Sequence, residues 1–301
     1  METKNTNQQT ISKLQNPTLA WSLLALLAVI WGSSFILVKK SLVVFDASQV
    51  GSLRIGAAFL FFLPFVLTNL KKIPFQKAHI FLLVGCLGNL FPAYLFSLAG
   101  AKLDSGVSGA LNSTTPLFTL IVGGLFFGNK ITSKQTIGIV LGFIGALLLI
   151  LAGAKGLNFN VYALYVVAAT VFYGLNLNIT KKYLTGLDLT PFQITSFIFT
   201  TIGPVALIVL FSGDFLQKMQ SSDAIAPLFY GVLLGVMGSA IAMVLFNRLI
   251  QMTSAVLASS VTYLIPIVAI IWGIIDGETI QIQHFLGMGI ILVGVYLVNK
   301  S

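Results

Sequence analysis

The sequence predicts an all-α integral membrane protein: ten transmembrane helices, built as two inverted five-helix repeats, with both termini cytoplasmic. Three observations carry that prediction. The chain of 301 residues is 57% hydrophobic and only 8% charged, where a soluble domain carries about a quarter charged residues. That is too little charge to cover a water-facing surface, so the chain belongs in lipid. The apolar residues fall into ten runs of membrane-spanning length. Finally, the second half of the chain repeats landmarks of the first.

The runs follow in order. Residues 1–19 are polar and read as a cytoplasmic tail. The first run, 20–38, lacks a small-x-small cleavage site and is read as a retained helix. Runs at 48–68, 78–99, 105–127 and 134–152 complete a first repeat over 20–152. Runs at 161–179, 190–211, 226–247, 254–275 and 283–298 form a second over 161–299. Each is close to the ~20 apolar residues a spanning helix needs. They are too long, and alternate too little, for the strands of a membrane barrel. The short links hold most of the charge and leave no room for a separate soluble domain.

Orientation follows from the basic residues. With the N-terminus inside, eleven of them face the cytoplasm: Lys4, Lys13, Lys71, Lys72, Lys77, Lys130, Lys134, Lys181, Lys182, Arg248 and Lys300. Five face outward: Lys39, Lys40, Lys102, Lys155 and Lys218. The net charge of +9 is therefore a topology signal. It is scattered in short clusters, with no basic face for a nucleic acid. The single cysteine, Cys86, cannot form an intrachain disulfide.

The repeat is visible in the letters. "WGSSFILVKKSL" at 31–42 aligns with "YGLNLNITKKYL" at 173–184 through the aromatic-Gly pair, Lys-Lys and the final Leu, at an offset of 142. Asp46 and Asp188 keep that offset. Gly128, Gly138 and Gly145 align with Gly277, Gly287 and Gly294 at an offset of 149. Five helices per half is an odd number, so the second half enters from the opposite face of the membrane. Secondary transporters are commonly built this way, with a site between the repeats.

These landmarks resemble the drug/metabolite transporter superfamily, specifically its ten-helix EamA-type members. "WGSSF" (31–35), Arg54 early in the second run, the Thr115-Pro116 step and "GETI" (277–280) carry the resemblance, together with the Gly-rich ends of both halves. The family often has a Gly-Glu pair after its fourth helix; here it is Gly128-Asn129. The resemblance implies an inner-membrane carrier that works by alternating access and exports amino acids, metabolites or drugs. Helices 1, 3, 4, 6, 8 and 9 would line its cavity.

Candidate site residues are polar groups that lipid would penalise. Trp31, Ser33 and Ser34 either line a cavity or serve close packing of helices. Tyr173 and Asn176 are three residues apart and share a helix face, presenting an aromatic and a polar group from the matching position. Asn112 and Thr115 belong to a dense polar cluster before Pro116, which frees a backbone carbonyl. Tyr263, before Pro266, is the counterpart. Arg54 is the intramembrane charge. It either pairs with Asp46 or Asp104 or binds a substrate carboxylate through its planar fork. Asn89, Tyr94 and Asn247 are further candidates. Asp276 and Glu278 read as a solvated turn.

Two His, one Cys and eight acids are spread over the chain, and no nucleophile-base pair, metal cluster or phosphate loop is assembled. The expectation is a secondary transporter, probing small molecules from within a lipid bilayer, with no catalytic residue, no metal, no cofactor and no nucleic-acid partner. A membrane-embedded enzyme or scaffold is the alternative. One arginine suits a zwitterion or an amphiphile better than a multivalent anion. Oligomeric state, coupling and direction are not written in the sequence.

Overall fold

A backbone surrounded by hydrocarbon must satisfy its hydrogen bonds internally, which favours unbroken helix wherever the sequence is apolar. The computed structural model describes residues 17–69, 73–153, 156–157, 160–184, 187–252 and 261–299. Eight helices are long and apolar enough to cross a membrane. They are α1 (Thr18–Ser41), α2 (Ala47–Thr68), α3 (Phe75–Gly100), α4 (Ser105–Phe127), α5 (Ser133–Leu151), α6 (Val161–Tyr183), α7 (Pro191–Phe211) and α8 (Ser222–Leu249). Two shorter apolar helices follow, α9 (Val261–Ile275) and α10 (Ile282–Val298). Part of the expected run 254–275 and most of the N-terminal tail lie outside the described residues, as do Lys4, Lys13, Lys71, Lys72, Lys155 and Lys300. A two-residue ladder, Ala152–Gly153 with Gly156–Leu157, joins α5 to α6.

Local chemistry sets the ends. Thr190 and Gln193 form a reciprocal cap before Pro191, with Thr190 N donating to Gln193 Oε1 at 2.8 Å and Gln193 N to Thr190 Oγ1 at 3.2 Å. α4 and α9 both stop at a left-handed glycine, Gly128 (φ 72°) and Gly277 (φ 81°). The next residue's N–H turns back to the helix in each: Asn129 N to Gly123 O at 3.0 Å, Glu278 N to Gly273 O at 2.8 Å.

The most extensive helix pairings all join one half of the chain to the other: α5 with α10, α2 with α7, α4 with α6, and α1 with α9. Glycine makes the first of these possible. A Cβ on Gly138 would stand 2.6 Å from Gly294 O, and one on Gly145 would stand 2.6 Å from Gly287 O. Here the Gly138/Gly142 stripe packs within the chain. So does Gly231/Gly235, which faces Leu53 and Arg54 of α2. Large apolar side chains cover the outside, among them Leu125, Phe126, Ile208 and Ile275, the pattern of a lipid-facing belt.

Candidate functional site

Two helices widen in mid-course. In α3 the segment Cys86–Leu90 forms a π-turn, with Phe91 N bonded to Cys86 O. In α8 the segment Val236–Ile241 does the same, with Ala242 N bonded to Met237 O. The two stretches, "GCLGNL" (85–90) and "GVMGSA" (235–240), match at an offset of 150. Each turn carries a glycine that receives a polar side chain from the other half. A Cβ on Gly88 would lie 2.5 Å from Asn176 Nδ2 of α6. A Cβ on Gly238 would lie 2.9 Å from Ser34 Oγ of α1. π-turns loosen the i→i+4 ladder and recur at functional sites. Gly88, Gly238 and Ser239 were missed in the sequence; the Gly-x-x-Gly pair at constant offset was the signal.

Several expected residues gather here. Trp31 Nε1 donates to Gly238 O at 3.0 Å, and its ring meets Phe246 edge-on at 5.1 Å. Ser34 is buried and donates back to Ile30 O at 3.0 Å. Arg54 Nε donates to Ser239 Oγ at 2.8 Å. Neither Asp46 nor Asp104 pairs with Arg54; Asp46 takes Lys218 instead, at 2.7 Å. Tyr173 lies in electrostatic range of Arg54, and its ring stacks on Phe96, which meets Phe35 edge-on. Tyr94 OH and Ser52 Oγ share a hydrogen bond of 2.8 Å, two residues before Arg54 on α2 and so on a different side of that helix. Asn176 is buried over Gly88. Its neighbour Asn89 is half-buried on the α3 π-turn.

Other candidates sit elsewhere. Ser33 Oγ accepts from Trp272 Nε1 at 2.8 Å on the flank of α9. Asn247 Nδ2 donates to Thr195 Oγ1 at 3.2 Å, tying α8 to α7. Tyr263 packs into the apolar cluster around α4, α6 and α10. Thr115 Oγ1 donates to Asn112 O at 2.7 Å across the break in α4, where regular helix stops at Asn112 and resumes at Thr115. Among the described residues the buried side-chain atoms without a hydrogen-bond partner are Ser105 Oγ, Ser108 Oγ and Asn112 Oδ1. These positions, i, i+3 and i+7, share one face of α4.

One end of the bundle carries an ion-pair cluster. Glu278 is not in a solvated turn: its side chain is 1% exposed. Its Oε1 accepts from Lys39 Nζ at 2.9 Å and from Ser105 N at 3.0 Å, while Oε2 accepts from Gly106 N at 3.4 Å. The carboxylate thus caps α4 and binds the end of α1. Asp276 pairs with Lys39 at 2.8 Å and with Lys40. Hydrogen bonds from Lys39 and then Lys40 hold its carboxyl below the usual range. These bonds stabilise the fold above the ordinary Asp pKa of 3.8 and are lost as pH falls through the depressed value. Asp104 shifts upward, first through burial and then through neighbouring Glu278. At the matching place of the other half stands neutral Asn129, and Lys182 there lies over the rings of Phe127 and Tyr183 at 5.6 and 5.2 Å.

The chain matches the model of the EamA-like transporter family twice, over residues 19–151 and 160–300. It is 23% identical over 287 residues to a protein of Archaeoglobus fulgidus named "Uncharacterized transporter", covering 93% of this chain and 99% of that one. It is 26% identical to the "Uncharacterized inner membrane transporter YedA" of Escherichia coli, covering 91% and 88%. YyaM of Bacillus subtilis, named as an uncharacterized transporter, is likewise 26% identical, covering 89% of each chain. A solved crystal structure superposes with a TM-score of 0.61 over 92% of this chain and 95% of that one, at 14% identity, so the likeness is one of fold.

Proposed function

Because this chain belongs to the EamA-like transporter family and is a multi-pass integral membrane protein, we propose that it is a secondary transporter that exports small metabolites from the cytoplasm across an inner membrane. The two halves act as inverted repeats, 20–152 and 161–299, and alternate access to a central site between them. Amino acids and related compounds, or amphiphilic drugs, are the substrate range. The single observation that carries this reading is the matched pair of π-turns. Each stands at the same place in its half, and each faces a polar side chain from the opposite half. Carriers place their sites where helices are interrupted at corresponding positions, because freed backbone groups there can meet a solute.

The site in this reading is built from Trp31, Ser34, Arg54, Asn89, Tyr94, Tyr173 and Asn176, with Ser239 added. Asn112 supports it: its Oδ1 lacks a protein partner among the described residues, and an acceptor of that kind favours a passing hydroxyl or amine. The Lys39–Glu278 cluster faces outward in this orientation, and the basic residues Lys130, Lys181, Lys182 and Arg248 face the cytoplasm.

The test is release from loaded vesicles. Purified protein is reconstituted into liposomes filled with a defined mixture of amino acids, monocarboxylates, nucleosides and lipophilic cations. The external medium is followed by mass spectrometry against protein-free vesicles. Faster loss of one compound class is the expected result. A folded, reconstituted protein that releases nothing from the whole mixture would overturn the transporter reading.

A further inference from the structure

Arg54 is a cation with no ion-pair partner among the described residues. It lies inside the span Ala47–Thr68, alongside Gly235 near the middle of the span Ser222–Leu249. Among the described residues no carboxylate forms an ion pair with it, and its one hydrogen bond runs from Nε to Ser239 Oγ, at 2.8 Å. Four acids of that end of the bundle are engaged elsewhere, Asp46 and Asp214 with Lys218, Asp276 with Lys39 and Lys40, and Glu278 with Lys39, and Asp104 forms no ion pair with Arg54 either. Among the described residues, that leaves both Nη groups, the forked side of the guanidinium, without a protein acceptor. A guanidinium so deep in a membrane protein is costly unless something answers its charge.

The surroundings say what could answer it. The bond to Ser239 fixes Nε and therefore the plane of the guanidinium. The two Nη groups then present parallel N–H bonds, the geometry that a carboxylate meets with both oxygens. The polar groups facing it are hydroxyls: Ser239, bonded to Nε, and Tyr173, in electrostatic range. Aromatic rings, Phe96 stacked on Tyr173 and Trp31 on the α8 π-turn, provide apolar surface. One cation amid hydroxyls and rings balances one negative charge. A phosphate or a dicarboxylate would bring a second charge with no partner.

Resting on the transporter reading above, we propose that Arg54 is the anchor for the carboxylate of a transported organic monoanion or amino acid. Ser239, held on the π-turn of α8, is the positioning residue that aims the fork. Neutral compounds and cations are then poor ligands of this site. Because Arg54 belongs to the first half and Ser239 to the second, the anchor is itself held by a bond between the halves.

The experiment compares acids with their own amides. Thermal unfolding of detergent-solubilised wild-type protein is measured with a panel of monocarboxylates and amino acids, with the matching amides, and with chloride and sulfate. A ligand of the folded state raises the midpoint by mass action. The expected result is stabilisation by at least one acid and none by its amide, with apparent affinity lowered tenfold or more in Arg54→Lys and in Ser239→Ala. The wild-type comparison needs no variant, so a poorly folding mutant does not spoil it. Equal stabilisation by acid and amide, or stabilisation by chloride or sulfate as strong as by any acid, overturns the proposal. The vesicle assay separates the two readings. Release confined to compounds without a carboxylate sinks the anchor and leaves the transporter, whereas no release of anything sinks the transporter itself.

Discussion

Trp31 shows what one residue contributes at the centre of the fold. Its indole N–H donates to Gly238 O, a carbonyl on the widened turn of α8, and its ring packs on Phe246. Replacing it by phenylalanine keeps an aromatic body and removes the donor. The carbonyl then loses one hydrogen bond, at a cost of roughly 0.5–1.5 kcal/mol. Trp31→Phe is expected to lower the unfolding midpoint in detergent by a few degrees and to slow vesicle release; an unchanged midpoint would show that the bond carries no stability. At this scale the sequence was partly legible. A tryptophan, a glycine and hydroxyls inside an apolar run announce a polar contact. They do not say with whom, because Ser33 and Ser34 are adjacent yet point to α9 and α8 respectively. Glu278 was misread for a related reason. An acid beside a glycine in a link looks solvated until the amides of Ser105 and Gly106 and the amine of Lys39 arrive from distant segments.

Among elements, the tightest joint is α5 against α10. Their backbones touch at Gly138–Gly294 and Gly145–Gly287, so neither side has a rotamer that could make room for a larger residue. Gly145→Ala places a Cβ 2.6 Å from Gly287 O and 2.8 Å from Ile291 N. Overpacking of this kind costs about 1–3 kcal/mol. The control is Gly289→Ala on α10 itself, where a Cβ meets nothing within 4 Å and helix propensity rises. Thermal unfolding should show Gly145→Ala destabilised and Gly289→Ala level with or above wild type; equal behaviour would mean that the helices separate at little cost. The spacing of these glycines was plain in the sequence, as were the apolar runs. The π-turns were not recognised, since nothing in composition separates a widened turn from a regular one. The Gly-x-x-Gly recurrence at 85–88 and 235–238 becomes meaningful once Asn176 and Ser34 are seen to need the space.

The whole molecule is stitched across its midpoint, with α2 on α7, α1 on α9 and α4 on α6. Its two ends differ chemically. One holds Asp104, Asp214, Asp276 and Glu278 among its lysines, and the other holds Lys130, Lys181, Lys182 and Arg248. On a Cys86→Ala background, Lys102→Cys is expected to react with an impermeant maleimide in intact cells, and Lys130→Cys only after permeabilisation; the reverse pattern would invert the topology. Counting lysines suggested this polarity, but not that the acid-rich end would be locked by ion pairs while Asn129 leaves the other end without an acid at the corresponding place. The joint of α5 with α10 has a consequence for biogenesis. The two helices are made about 150 residues apart, which at ribosomal speeds of roughly 5–20 residues per second is on the order of ten seconds. Throughout that interval the glycine groove of α5 has lipid for a neighbour, and the bundle closes only when the last helix has been threaded into place.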